Sequence, residues 1–234
     1  MSSQTYLMNQ LNHGIVPDIS KISKVTPVFK TDAATDPGNY RPIAVLSPFA
    51  KILERLVYNE LNRFLEKENI LFKHQFGFRK NYSIEQAILE LTDNLKMKID
   101  SNEAICSIFL DLSKAFDTVN HQILLQKLYR YGIRGVPLQW FKSYLEGRTQ
   151  YVEVKNVKSN LSIQYGVPQG SNLGPLLFLI YIKDMPKCLE KANIRIFSDV
   201  STLFYSGFQF STGPWKKTIN EEFSHLLLKL LLSQ

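Results

Sequence analysis

The sequence predicts an α+β fold, and three observations predict it. Residues 105–111 place four apolar side chains in the five positions ahead of Asp111, the pattern of a short buried strand ending on a carboxylate. Residues 48–67 and 84–99 carry apolar side chains at intervals of three and four, the period of amphipathic helices. Residues 151–165 and 193–205 set apolar or alternating arms about polar tips, as β-hairpins do.

A chain of 234 residues suffices for one fair-sized domain, or one domain with a smaller lobe. Lys and Arg number 28 against 21 Asp and Glu, a net charge of +7, which admits an anionic partner without demanding one. Two cysteines, Cys106 and Cys188, exclude a disulfide framework and a zinc site, and Cys106 reads as a small core residue. The polar start, with Asp18 and Lys21 breaking any apolar run, has no leader character, and no stretch suits a bilayer span. The expectation is an intracellular protein of nucleus or cytoplasm, not secreted and without a membrane partner.

Residues 1–20 are weakly patterned. Lys24–Lys30 is a strand candidate that Pro27 pushes to a sheet edge. Thr31–Asn39 is a loop by composition, and Tyr40–Leu46 resumes extended structure. Lys30 and Arg41 thus flank a turn. They are either two solvated charges or a phosphate clamp, in which Arg gives a rigid donor fork and Lys a point charge. In residues 48–67 the apolar face is Phe49, Ile52, Leu53, Leu56, Val57, Leu61 and Phe64, with Glu54, Arg55, Glu60, Arg63 and Glu66 opposite. Gln75–Lys80 centres on Gly77, which permits a tight backbone between two aromatic and two basic residues. Ser83 with Gln86 is a capping signal for the next helix.

Residues 119–132 and 137–145 read as further helices, with Trp140 and Phe141 in the core. Gly166–Pro175 holds three glycines and two prolines and is a shaped loop rather than a linker. An apolar helix with Leu176, Leu177, Leu179, Ile180 and Ile182 follows. Asp199 sits at the tip of the 193–205 hairpin. Asp111 alone is either a helix-entry residue after a strand or an oxygen ligand for a hard cation. Paired with Asp199 across a glycine-rich loop it gains a second meaning. Two carboxylates from two strands are the usual geometry of a two-metal phosphoryl-transfer site.

Several stretches carry a resemblance in the right order: Asn39-Tyr40-Arg41-Pro42-Ile43, Gln75-Phe76-Gly77-Phe78-Arg79, Phe109-Leu110-Asp111 through Ala115-Phe116-Asp117, Gly166-Val167-Pro168-Gln169-Gly170-Ser171 through Gly174-Pro175, and Phe197-Ser198-Asp199-Val200. Together, from about residue 15 to 210, they resemble the reverse transcriptase domain of non-LTR retrotransposons, the jockey and CR1-like mobile elements. The resemblance implies a right-hand polymerase fold with fingers over 21–104 and palm over 105–210. It adds a fingers-proximal hairpin near 150–165, a degenerate tail over 211–234 and a missing thumb. It implies an RNA-directed DNA polymerase that adds dNTPs to a primer 3′-hydroxyl on an RNA template with a DNA primer. Asp111 and Asp199 fall on the catalytic, metal-holding carboxylates, with Mg²⁺ at a two-ion site. Phe116 falls on the aromatic that admits or rejects a ribose 2′-OH. Arg41 and Lys30 fall on triphosphate contacts, and Gln169 and Gly170 on the loop lining the nucleotide site.

The chain departs from that pattern at Val200, where the family has a third carboxylate and valine has no oxygen to offer. Ser198 is a milder change, and Leu226–Leu232 loses the interrupted helical pattern. The expectation is a polymerase domain inactive or impaired in this copy. The alternatives are a non-catalytic nucleic-acid-binding remnant and a poorly folded fragment of a mobile element. His74, His121 and His225 lack ligand spacing.

Overall fold

The structure, a computed structural model, describes residues 10–112, 114–154, 157–159, 161–189, 192–198, 200–208, 217, 219–221, 223 and 224. In chain order its elements are β1 (Ile22–Phe29), β2 (Tyr40–Val45), α1 (Pro48–Lys67), α2 (Ile84–Asp100), β3 (Ala104–Asp111), α3 (His121–Arg130), α4 (Val136–Leu145), β4 (Arg148–Tyr151), β5 (Glu153–Val154), β6 (Val157–Lys158), β7 (Leu161–Ile163), α5 (Gly174–Ile182), β8 (Asn193–Phe197) and β9 (Val200–Phe208). They fall into two compact units: the described residues of Met1–Ile70 with Phe116–Tyr181, and those of Leu71–Ala115 with Ile182–Gln234.

The first unit is built on a sheet of order β2-β1-β4-β7. The sequence puts β1 at an edge because of Pro27, but β1 lies inside the sheet. The register reconciles the two. β1 pairs with β4 only over Ile22–Lys24, so Pro27 lies past that pairing, and on the other side it faces Pro42 of β2. Neither proline has an N–H to donate, so their pairing removes no ladder bond that another residue needs. β4 pairs antiparallel with β7 as the predicted hairpin, and β5 and β6 pair at its far end.

α1 starts where Ser47 accepts from Ala50 N at 3.2 Å and Pro48 occupies the first turn. Its buried stripe is Ala50, Leu53, Glu54, Leu61 and Leu65, rotated from the expected one, and Phe49, Ile52 and Leu56 are exposed. α5 is buried on all sides from Leu176 to Tyr181, as a helix apolar all round must be. Trp140 and Phe141 of α4 are core residues, as expected.

In the second unit, α2 opens on the anticipated capping box: Gln86 N donates to Ser83 Oγ at 3.3 Å and Ser83 N to Gln86 Oε1 at 3.0 Å. The sheet has the order β3-β9-β8, all antiparallel. The segment before α2 joins its free edge, with Phe76 N donating to Ile196 O at 2.9 Å and Ile196 N to His74 O at 3.0 Å. Glu90 of α2 holds that edge, its Oε1 lying 2.7 Å from Arg195 Nε and 2.6 Å from His74 Nδ1.

β3 corrects the buried-strand reading. None of its residues is fully buried. Cys106, Ile108 and Leu110 are half-buried, while Ser107, Phe109 and Asp111 alternate with them on an exposed face. β3 is an edge strand, so its apolar run is amphipathic in effect. Cys106 is therefore a half-buried residue of that strand rather than part of a closed core.

Candidate active site

Two places hold the residues singled out in the sequence, one in each unit. In the second unit, β3 ends on Asp111, which the register sets directly opposite Val200, the first residue of β9. Directly opposed residues of antiparallel strands project to the same face, with Cβ atoms about 5 Å apart. The exposed Asp111 therefore shares its face with Val200, itself 40% exposed. Phe197 of β8 pairs with the same Val200 from the other side, which is the predicted hairpin. Asp199 lies outside the described residues.

The hairpin end is seated on Gly77. A methyl group at Gly77 would lie 2.1 Å from Ser198 N, 2.8 Å from Ser198 Cα and 3.0 Å from Phe197 C. Only a residue without a side chain lets the two backbones approach so closely. Phe78 and Ser198 on either side of the contact both have positive φ, 60° and 61°. This end offers a cation, among the described residues, one carboxylate with open access and one apolar neighbour. Among the described residues no group of three or more His, Cys, Asp or Glu side chains comes together. Asp111 fits a hard cation by donor type; Val200 does not.

In the first unit the loop after β7 is fastened at successive points. Gly166 N donates to Val119 O at 2.7 Å, Val167 N to Phe116 O at 2.8 Å, and Ala44 N of β2 to Gln169 O at 2.7 Å. Gly170 has φ +106°, and a methyl there would meet Ala44 O at 3.0 Å, so Gln169 and Gly170 are held flush against β2. Phe116 stacks on Phe178 of α5 with ring centres 5.1 Å apart. Val28 faces Arg41 across the β1–β2 ladder, and Lys30 N donates to Asn39 O at 2.9 Å. That register puts Lys30 and Arg41 diagonally on one face, both exposed.

Three residues that anchor this loop, and Arg148 beside Tyr144, escape the sequence reading. Glu54, placed there on the polar side of α1, is 2% exposed. Its Oε1 accepts from Tyr144 Oη at 2.6 Å and its Oε2 from Asn172 N at 2.8 Å. Burial pushes the Glu54 carboxyl above its ordinary range, against the pull of the Tyr144 and Asn172 hydrogen bonds. Burial likewise drives the Tyr144 phenol far up. Arg148, at the start of β4, lies over the Tyr144 ring at 4.9 Å. The ring of His121 sets Nε2 2.7 Å from Gly166 O, and burial holds its pKa below the ordinary value despite that bond. The neutral ring then donates from Nε2, since the carbonyl can only accept. A signal for Glu54 was present: it follows Ala50 by four and precedes Val57 by three and Leu61 by seven, inside the apolar stripe.

The family described as "Reverse transcriptase (RNA-dependent DNA polymerase)" matches residues 26–208. The "Probable RNA-directed DNA polymerase from transposon BS" of Drosophila melanogaster is 37% identical over 185 residues, covering 73% of this chain and 20% of that protein. The "RNA-directed DNA polymerase from mobile element jockey" of the same organism is 35% identical over 181 residues, covering 75% and 19%. The chain thus spans about a fifth of the length of these relatives. Two solved telomerase structures share its fold. That of Candida tropicalis has a TM-score of 0.60 at 12% identity, covering 94% of this chain and 51% of its own. That of Candida albicans has a TM-score of 0.64 at 11% identity, covering 97% and 43%. No helix among the described residues is long and apolar enough to cross a membrane. The chain belongs to the reverse transcriptase (RNA-dependent DNA polymerase) family and is related to the polymerases of jockey- and CR1-type non-LTR retrotransposons.

Proposed function

We propose that this chain supplies the fingers and palm of an RNA-directed DNA polymerase, impaired in this copy at the metal-holding end of the palm. The fingers take residues 21–104 and the palm 105–210, each range contributing to both compact units. The observation that carries the reading is the register that sets Asp111 and Val200 side by side on one exposed face. The first-motif carboxylate stands beside the hairpin as a polymerase requires, and its immediate neighbour has no oxygen.

Asp111 and Asp199 are the residues that would hold Mg²⁺, which supplies charge stabilisation for primer 3′-hydroxyl attack and pyrophosphate departure. The protein's own work lies in placement. Arg41 and Lys30, exposed on one face of the β1–β2 ladder, bind the triphosphate. Phe116, kept in place by Phe178, lies against the sugar and tests its 2′ position. Gln169 and Gly170, flush on β2, shape the nucleotide pocket. The template is RNA, the primer DNA and the substrates dNTPs.

Primer extension with the purified chain, an RNA template annealed to a DNA primer, Mg²⁺ and dNTPs tests this. Extension at or barely above background, with primed template retained at low salt and released as salt rises, is the expected result. Robust extension that Asp111→Ala abolishes would overturn the impairment. The +7 net charge and the exposed Lys30 and Arg41 favour one second reading, a nucleic-acid-binding remnant without chemistry. Binding that persists while extension stays at zero even in Val200→Asp would favour it.

A further inference from the structure

We propose that α2 docks against α2 of a second copy of this chain, the two helices antiparallel about a two-fold axis near Leu91. No residue of α2 is fully buried. Its half-buried side is partly polar: Glu90 pairs there with Arg195 and His74, and Lys98 with Glu103 at 2.9 Å. Beside that side runs a row of Ile84, Ile88, Leu91, Leu95 and Ile99, spaced four, three, four and four residues apart. Such spacing puts all five on one stripe of a helix. Ile84 is 49% exposed, Ile88 54% and Ile99 63%, with Leu91 and Leu95 half-buried. The row runs the length of α2, and an uncovered stripe of that length and spacing is the form in which one helix receives another.

The charges beside the row choose the partner and its direction. Glu85 and Lys96, both exposed, stand eleven residues apart, close to three turns, and so on the same flank of the row. A hydrogen bond from Ser83 holds the Glu85 carboxyl below its ordinary range, so it is ionised at neutral pH. The midpoint of this charge pair and the midpoint of the row fall on either side of Leu91, one residue apart. A second copy turned end for end about that point brings its Lys96 to Glu85 and its Glu85 to Lys96. In the same arrangement Ile84 meets Ile99, Ile88 meets Leu95, and Leu91 meets Leu91 of the second copy. In a parallel pair Glu85 would lie against Glu85 and Lys96 against Lys96, which repel. Asp93 and Asp100 lie round the helix, away from the row. An unrelated partner would give no reason for one face to be its own complement.

Sedimentation equilibrium of the whole chain at low salt, across concentrations on either side of the expected Kd, tests this. A stripe of roughly four turns is at the small end of specific interfaces, so a dimer with Kd on the order of 10 μM is expected. Ile88→Glu sets a charge in the middle of the contact from an exposed position. It should weaken the dimer at least about tenfold and leave the melting of the dilute chain unchanged. Glu85→Lys alone places like charges together at two symmetric points and should weaken the dimer about fivefold at low salt. Lys96→Glu added to Glu85→Lys should restore the parent affinity, a recovery that damage to the fold would not give. A chain monomeric throughout, a dimer that Ile88→Glu leaves intact, a double reversal no tighter than Glu85→Lys, or association that continues past the dimer would each overturn the proposal. The polymerase reading stands or fails in primer extension, and the dimer does not depend on it.

Discussion

Glu54 and Asp111 are carboxylates held in opposite ways. Glu54 is 2% exposed and takes hydrogen bonds on both oxygens, from Tyr144 and from the Asn172 backbone. Asp111 is exposed at a strand end opposite a valine. The loop beside Glu54 is fastened by side chains at Asn172 as well as by its own backbone bonds; the hairpin beside Asp111 is seated backbone against backbone at Gly77. A carboxylate with both oxygens occupied is part of the frame and has nothing left for a ligand. One left open at the rim of a sheet retains its oxygens for a cation, at little cost in stability. The loop of the first unit thus needs no ligand to hold it, while the chemistry of the second unit's sheet end depends on what it can bind.

The largest loss of stability is expected at Gly77. In Gly77→Ala the new methyl meets Ser198 N at 2.1 Å, and no rotamer relieves contact with backbone. Destabilisation of at least about 3 kcal/mol is expected, at the upper end for overpacking. Gly38→Ala is the control, since its methyl would meet first a side-chain atom, Asp36 Oδ1 at 3.2 Å. Urea midpoints measure both. A loss below about 1 kcal/mol for Gly77→Ala would show that the hairpin end yields and is not seated by this contact.

The next step separates the two carboxylates directly. Glu54→Ala leaves the Tyr144 hydroxyl and the Asn172 N–H without their acceptor in a buried place. A loss of about 2 kcal/mol is expected, and less for Glu54→Gln, which keeps one acceptor oxygen. Asp111→Ala should stay within about 0.5 kcal/mol of the parent, as surface changes do. Chemical denaturation of the three variants side by side decides it. Equal losses for Glu54→Ala and Asp111→Ala would erase the distinction between frame and site.

Most of the fold was legible because its signals are local. The capping box at Ser83, the β8–β9 hairpin that pairs Phe197 with Val200 and the all-apolar α5 each declare themselves within a few residues. What was not legible depends on partners far along the chain. Pro27 correctly marked a strand position without a donor, but the chain meets β4 more than a hundred residues later, and only its register shows where pairing ends. Glu54 looked like one of many surface charges on α1, because its justification, Tyr144 and Asn172, lies on other elements. The apolar run of β3 carried no mark of how many of its faces are covered. At the two places the sequence singled out, residue types and spacing pointed to Asp111 in one and to Phe116, Gln169 and Gly170 in the other, while the contacts at Phe178 and Ala44, and at Gly77 under the hairpin end, are not written in spacing. Gly77 was visible as a tight point in the chain; that it receives the Ser198 backbone was not.

The smallest expected effect is also the most specific to the sheet end. Val200→Asp places a second carboxylate directly across from Asp111 on the same face. Like charges so opposed cost about 0.5 kcal/mol. In a chain of this length that is a fall of roughly 1–2 °C in Tm, to be read in chelator at low salt. A divalent cation between the two carboxylates reverses the sign, because the repulsion becomes shared coordination. Adding Mg²⁺ should therefore raise the Tm of Val200→Asp back to the parent value or above it, while the parent moves little. Asp111→Asn combined with Val200→Asp separates this from general salt screening: it keeps the new charge, lacks its opponent, and should show neither the fall in chelator nor the recovery. A Val200→Asp chain whose Tm ignores Mg²⁺ would mean that Asp111 does not face position 200 closely enough to share an ion, and the impairment would then have to be sought elsewhere than in the missing oxygen.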